Sequence, residues 1–582
     1  MELISKMMFA LLLFASCSSD DTFNISKASS LQPAVEITSR LTLELSTDKA
    51  LYAPGQTISF SVKGNLPAGA TVRYRHGADV VEEQPLSGST WTWTAPSQDF
   101  TGYLVDIYTK NGSGETVYGT IAVDVSSDWN RFPRYGFVAT YDKSKTQKTI
   151  DAEMALLNRY HINGVQFYDW HYAHHQPYTP DAVYTDIANR EIDADVVRRY
   201  ISAQHGYGMK SMFYNLCYGA LDNAAQNGVK DQWYLYKDQS HSKKDCLNMS
   251  SEWKSDIYLT DPNNTDWQKY LAAQNKDVYE HFDFDGYHID QVGNRGTVYD
   301  FYGNTVNLPS GFANFIKAMK QAEPGKRLVM NAVANYGQLN IANTGDVDFL
   351  YSELWGGESQ FADLLSILNQ NRSYRPGAGQ VYAAYMDYEC NDKSEFNTPG
   401  VLLTDAVMFA IGADHLELGD HMLCHEYFPN SHLAMSDDLK SQLVCYYDFF
   451  TAYEDLLRVE GQQNDDDIYT TSSDVTIANW PPRLGTVTAY TKTVDDKKVV
   501  NLLNFVNANS LSWRDLKGDM PEPQQINGLT LAVKAGNVKR IWVASPDCYG
   551  GVAQELHFEK NGDRVVFTVP MLKYWSMMVI EQ

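Results

Sequence analysis

Two acids stand at matching places in this chain. Asp290 ends the run Gly286-Tyr287-His288-Ile289-Asp290, which follows a helix-patterned stretch from Thr265 to Phe282 and an Asp285-Gly286 turn. Glu353 sits in Tyr351-Ser352-Glu353-Leu354-Trp355, after the strand-like run Val347 to Leu350. In a parallel α/β barrel, side chains at the C-terminal ends of strands face the mouth that holds the active site. A single Asp after a strand more often caps the next turn, but two acids in equivalent places argue for a pair. Further acids follow other strand-like runs: Asp142, Asp169, Asp387, Glu389, Glu417 and Asp420. Most should cap or form ion pairs, leaving two or three for chemistry. Trp170, Tyr172, Tyr218, Trp355 and Tyr388 are interleaved with them. Flat rings cover the C–H faces of sugars while carboxylates accept from hydroxyls. Breaking a glycosidic bond takes two carboxyl groups, one as acid and one as nucleophile or base.

Competing chemistries fit less well. His171, His174 and His175 cluster beside Asp169, but no distant ligand set accompanies them, and loop histidines usually only hydrogen-bond. No GxSxG elbow is present for a serine nucleophile, and no Gly-rich loop with Lys for phosphate. The formal charge of -25 argues against a nucleic acid as partner, which would need a basic footprint. Beyond Cys17, the cysteines at 217, 246, 390, 424, 445 and 548 are widely and irregularly spaced. None forms a CxxC, so they read as mostly free and buried, and no metal or cofactor is expected.

The elements needed to position such a pair can be read along the chain. At 582 residues it is too long for one core. Residues 35–127 alternate as LTLELS, TISFSV, TVRYRH and similar runs, which predicts an immunoglobulin-like β-sandwich. From 128 to 460 strand and helix patterns alternate. Strands are expected at Tyr135–Tyr141, Gly164–Asp169, Lys210–Leu216, Gly286–Asp290, Arg327–Val333, Val347–Glu353, Gln380–Tyr385 and Asp414–Leu418. Eight such units mean a (β/α)8 barrel. No GxGxxG follows an early strand, which disfavours a nucleotide-binding open sheet. Residues 461–582 return to short β runs, a C-terminal all-β domain. The Asp465-Asp466-Asp467 triplet reads as a solvated linker.

Residues 1–34 form a leader and linker. Lys6 precedes the apolar run Met7 to Ala15, too short to span a bilayer and suited to a signal segment. Cys17 after Phe14-Ala15-Ser16 resembles a bacterial lipobox, with Phe14 in place of the usual leucine. Asp20-Asp21 resembles the acidic export signal of Bacteroidetes-type surface lipoproteins. The expectation is an outer-membrane lipoprotein anchored through Cys17, with no membrane helix later in the chain.

Four segments carry a wider resemblance: Arg134 to Val138 (RYGFV), Gln166 to Tyr172 (QFYDWHY), Asp285 to Gln291 (DGYHIDQ) and Ser352 to Trp355 (SELW). Together they resemble glycoside hydrolase family 66, the endo-dextranases and cycloisomaltooligosaccharide glucanotransferases. The resemblance implies the order β-sandwich, barrel, C-terminal β domain. It also implies that Asp290 is the nucleophile and Glu353 the acid/base of a retaining reaction on dextran or a related α-1,6-glucan. Asp169 matches a family acid at the sugar-binding subsite. Trp170, His171, Asn215, His288, Gln291, Asn331 and Trp355 are expected around the same substrate. The family's transferases carry a carbohydrate-binding module inserted in the barrel. The largest elaboration here, between Leu216 and Asp261, is too short for one, so plain hydrolysis to isomaltooligosaccharides is the expected outcome. The alternatives are a glucanotransferase or another α-glucan hydrolase on this scaffold, or a non-catalytic glycan-binding lipoprotein.

Overall fold

A computed structural model of the chain describes residues 31, 33, 35–426 and 432–582. The leader, Cys17 and most of the linker lie outside the described residues. At the centre, strands and helices alternate: β1 (Tyr135–Val138), α1 (Gln147–Arg159), β2 (Gly164–Phe167), α2 (Ala194–Gly206), β3 (Lys210–Leu216), α3 (Thr265–His281), β4 (Gly286–Asp290) and α4 (Leu308–Ala322). The series continues with β5 (Arg327–Val333), α5 (Gln338–Ala342), β6 (Leu350–Leu354), α6 (Phe361–Tyr374), β7 (Gln380–Ala384), α7 (Thr398–Ile411), β8 (Asp414–Leu416) and α8 (Asp437–Ala452). Neighbouring strands from β1 to β8 pair in parallel and in sequence order. Between β8 and β1 the seam is held by one parallel bridge, Phe137 to Gly419. There the Phe137 N–H donates to Leu418 O at 3.1 Å. Gly419 leaves room for this approach, since a Cβ would lie 2.4 Å from Phe137 O. The product is a nearly closed (β/α)8 barrel.

Local signals explain why the elements start where they do. α1, α2, α3, α4 and α8 follow Thr146, Asp193, Asn264, Asn307 and Ser436, each of whose side chains accepts from a first-turn N–H. Each such cap is worth about 1 kcal/mol. Strands alternate their side chains between the barrel interior and the helices. Tyr135, Phe137, Met212, Val329, Tyr351, Val381, Ala383 and Leu416 thereby form one interior cluster, with Trp129 among them. Trp129 donates its Nε1–H to Asp348 at 2.6 Å. Its ring lies so close to Gly164 that a Cβ there would be 1.9 Å away. The floor of the barrel is a packed plug.

All-β layers flank the barrel. A five-stranded and a three-stranded sheet cover Ile37 to Val125, enclosing Leu45, Ile58, Phe60, Val72, Trp93 and Ile121. The strand Thr57–Lys63 alternates buried and exposed residues along its length, as a half-covered strand must. After the barrel, a seven-stranded and a four-stranded sheet enclose Val487, Leu502, Leu531, Phe567 and Ile580. Arg134 ties the first layer to the barrel base. Wholly buried, it pairs with Asp124, with Glu454 at 2.8 Å and, through Nε, with His161 O at 2.6 Å. Such a buried charge is tolerable only because its partners are in place. At the other end, Trp513 donates to Glu358 O at 2.6 Å and the Asp387 N–H to Arg514 O at 2.9 Å. The C-terminal layer therefore braces the loops after β6 and β7.

Differences from the sequence expectation are local. β1 stops at Val138 because the N–H groups of Ala139 and Thr140 turn to the Asp420 carboxylate. β6 begins at Leu350 rather than Val347. The five-residue α5 is absent from the pattern reading, being too short to show a period. No helix among the described residues is long and apolar enough to cross a membrane.

Candidate active site

Asp290 and Glu353 end up at the same opening. Asp290 is the last residue of β4 and Glu353 the fourth of β6, on either side of β5. Asn331 projects from β5 between them. Its Nδ2 donates to Asp290 Oδ1 at 2.8 Å and to Glu353 Oε2 at 2.9 Å. One amide nitrogen therefore touches both acids. Their nearest oxygens can be no further apart than the two bonds laid end to end, and with the two N–H vectors about 120° apart the gap is roughly 5 Å. That is the separation of carboxyls in retaining glycosidases, about 5–5.5 Å, and too small for the water that inverting enzymes place between them. Tyr214 from β3 donates to Asp290 Oδ2 at 2.8 Å. Tyr385, just past β7, donates to Glu353 Oε1 at 2.5 Å.

The two acids differ in their surroundings. Burial raises the pKa of Asp290, while Tyr214, Asn331 and the Gln291 backbone N–H oppose the rise. Glu353 is only 8% exposed and is pushed up to about 7 by burial, then by the negative charge of Asp290, with Glu426 adding a little. Tyr385 and Asn331 pull the other way without prevailing. Hydrogen bonds to an ionised carboxylate stabilise that form, and burial beside a like charge stabilises the acid. Hydrogen bonds favour the ionised form of Asp290, while burial and the neighbouring charge favour the protonated form of Glu353. Removing the Tyr385 hydroxyl takes away a bond that favours ionised Glu353. Tyr385→Phe is thus expected to move the alkaline limb of the pH–kcat/KM profile upward, by roughly half a unit to one unit. An unmoved or lowered limb in a pH–rate series would contradict this assignment.

Both acids line a cavity of about 320 Å³. The structure also brings Asp169, His288, Gln291, Asn331 and Trp355 to it. Asp169, two residues past the end of β2, adopts a left-handed backbone conformation, φ 46°. Asp tolerates that region better than most residues, at a modest cost in strain. The twist sets its carboxylate 3.0 Å from Arg190 Nη2, and Arg190 in turn bonds Asp186. Burial, with Asp186 and Asp290 nearby, holds the Asp169 pKa above the usual range despite Arg190. His288 forms part of the floor, stacked between Tyr135 and Tyr214. Burial drops its pKa to about 3, so it is neutral.

Three expected contact residues do not reach the cavity. Trp170 is fully buried behind the wall, packed on Phe213, Phe282 and Phe284, with its Nε1–H on Tyr214 O at 3.2 Å. In FYDWHY the left-handed backbone at Asp169 breaks the strand alternation, so that Tyr168 and Asp169 both line the cavity while Trp170 turns into the core. His171 bonds His174 at 3.0 Å, and Asn215 holds His174 through both its oxygen and its amide at 2.8 Å. His171 and Asn215 therefore support His174, which does line the cavity. The other acids divide as expected. Asp142 accepts from Ser144, Asp387 from the Asn397 N–H, and Asp420 pairs with Lys145. Glu417 is buried beside His415 and Tyr447.

Sequence reasoning missed Tyr214, Tyr385, Gln166, Tyr168, Tyr351 and Glu426, all on the cavity wall. Tyr385 was legible as the residue at the end of a barrel strand, but a search confined to acids passes over it. The excursion between β3 and α3 also contributes to the cavity wall. It folds into a three-stranded sheet (Gly219–Ala220, Ile257–Leu259, Cys246–Leu247). Leu247 and Ile257 of this sheet, with Met249 and Trp253 nearby, build one side of the cavity.

Comparison with known proteins finds relatives over most of the chain. A cycloisomaltooligosaccharide glucanotransferase of Niallia circulans is 27% identical over 92% of this chain and 71% of its own length. That alignment runs over 701 positions, more than the 582 residues of this chain, so the relative has stretches without a counterpart here. A dextranase of Streptococcus salivarius is 27% identical over 83% of this chain and 68% of its own length. A crystal structure of a Paenibacillus cycloisomaltooligosaccharide glucanotransferase with cycloisomaltoheptaose superposes with a TM-score of 0.84. The identity is 26%, over 93% of this chain and 100% of the other. A family model described as glycosyl hydrolase family 66 matches residues 47–579. With that match running from the first β layer to the last strand, the chain is an enzyme of glycosyl hydrolase family 66.

Proposed function

We propose that this enzyme cleaves α-1,6-glucan with retention of anomeric configuration, using Asp290 as nucleophile and Glu353 as acid/base. The observation that carries the reading is the Asn331 amide nitrogen, in hydrogen-bond contact with both carboxyls. In the first step the ionised Asp290 oxygen attacks the anomeric carbon. The glycosidic C–O bond breaks, and Glu353 gives its proton to the departing oxygen. Tyr214 and Asn331 keep Asp290 ionised and aimed; the rings of Tyr168 and Trp355 on the wall suit sugar faces. Once Asp290 is esterified its negative charge is gone, and with it one of the causes of the high Glu353 pKa. Glu353 then becomes a better-ionised base and takes a proton from the acceptor that attacks the glycosyl ester.

The acceptor decides between transfer and hydrolysis. The relatives favour transfer to a sugar hydroxyl over the simple dextranase expected from the sequence, since the glucanotransferases resemble this chain over more of its length. Hydrolysis is kept as the second reading because the transferase carries stretches absent here. Incubation with dextran, pullulan and amylose, with mass and linkage analysis of products, separates these. Cyclic or lengthened α-1,6 products support transfer, and linear isomaltooligosaccharides alone support hydrolysis. No turnover of dextran would overturn both. The paired sheets of the N-terminal layer support an immunoglobulin-like reading of that unit. The lipobox around Cys17 supports anchoring at the cell surface. Cys17→Ala is expected to release the protein from membrane fractions, and unchanged retention on fractionation would refute the anchor.

A further inference from the structure

The loop that leaves β8 carries a second cluster of chemically distinctive side chains, outside the catalytic pair. Cys424 and His425 are adjacent, and His432 returns to them seven residues later. The Cys424 Sγ and one ring nitrogen from each histidine all lie within 4.8 Å of one another. Cys424 is buried, His425 half-buried and His432 exposed. The two imidazole centroids are 5.9 Å apart. A tetrahedral ion at ordinary Zn–S and Zn–N distances needs its ligand atoms about 3.5 Å from each other, so small side-chain rotations would close the site.

The surroundings are those of a held ligand set. His432 Nε2 is bonded to Cys390 O at 2.6 Å. A carbonyl can only accept, so the proton is on Nε2 and the Nδ1 lone pair is available. Metal-binding histidines are fixed in this way by a backbone carbonyl on the other nitrogen. The His425 ring rests on Tyr388, centroids 4.4 Å apart. A sulfur with two imidazoles is a borderline-soft donor set, suited to Zn2+ and poorly suited to Ca2+ or Mg2+. The spacing C-H-x6-H is not a CxxC pattern, so the sequence reading saw no metal site.

We propose that Cys424, His425 and His432 bind one Zn2+-class ion that pins the loop after β8 against the loop after β7. The consequence for catalysis runs through Glu426, next to His425. Glu426 lines the catalytic cavity, accepts from Tyr388 at 2.6 Å and contributes to the raised pKa of Glu353. The ion is structural: it holds Glu426 and Tyr388 in register and takes no part in bond breaking. The cluster stands independently of which glucan the enzyme cleaves.

The test uses the full chain, stripped with a chelator, with separate samples titrated with Zn2+ and with Co2+. One equivalent of each is expected, with a thiolate-to-cobalt charge-transfer absorption and a rise in Tm on Zn2+ addition. Cys424→Ser should abolish the charge-transfer band, and His432→Gln should weaken Zn2+ binding at least tenfold. Cys445→Ser, a thiol on α8, should change neither. Melting curves in chelator should coincide for all four proteins, which separates loss of a ligand from loss of the fold. Failure of the wild type to take up one equivalent, or equal uptake by Cys424→Ser and His432→Gln, would overturn the proposal. Dextran cleavage measured on the same stripped protein reports on the catalytic reading separately.

Discussion

Asp290→Asn is expected to lower kcat on dextran by on the order of 10⁴–10⁶-fold while substrate binding changes little. Removing a nucleophile leaves only positioning and electrostatic stabilisation, and losses of that size follow. The substitution also has a local cost. Asp290 accepts from Tyr214 on one oxygen and from Asn331 on the other. An amide offers one accepting atom, so one of those donors would face an N–H. Asp290→Ala avoids this clash, and the two variants should be equally inactive even if their melting points differ. Both also remove the negative charge beside Glu353, whose pKa should fall from about 7 toward the ordinary carboxylate range. Steady-state kinetics with binding by calorimetry checks the first claim. Either variant retaining more than a few per cent of wild-type kcat would exclude Asp290 as nucleophile.

Glu353→Gln should cost about 10²–10⁴-fold on dextran, the usual worth of a positioned general acid. The loss should depend on the leaving group. Fluoride departs without a proton, so an α-isomaltosyl fluoride should still form the glycosyl-enzyme quickly, and the second step should become slow. The wild-type profile should lose activity as pH rises through about 7, where Glu353 gives up its proton. In Glu353→Gln that limb should vanish. The sign is fixed by the role: the acid form is needed first, so activity lies below the pKa. A loss of equal size on dextran and on the fluoride would point away from general acid catalysis at this position.

Much of this was legible in the chain because the barrel repeats one local rule. β4 and β5 were readable to the residue, since Asp285-Gly286 and Gly325-Lys326 punctuate short apolar runs. The acids at strand ends then fell on one rim by topology alone. What alternation could not reveal was depth. Trp170, one residue past Asp169, is turned into the core by the left-handed backbone at 169, and no propensity signals that twist. Asn331 is expected from the sequence only around the substrate, yet its amide contacts both acids. That role depends on β5 lying between β4 and β6, a fact of three-dimensional order. Tyr214 and Tyr385 lay among 38 tyrosines with nothing local to distinguish them. The wall built by Leu247 and Ile257 is a tertiary product of an irregular excursion, where pattern reading has no period to follow.

The central claim is that Asp290 and Glu353 act as one pair across a single sugar linkage. Intact-mass and peptide analysis of Glu353→Gln, quenched soon after mixing with α-isomaltosyl fluoride, tests it most directly. One isomaltosyl unit is expected, esterified to the peptide that contains Asp290, with the released sugar α-configured by NMR. Label on any other residue, or turnover with no covalent species and a β-configured product, would contradict it.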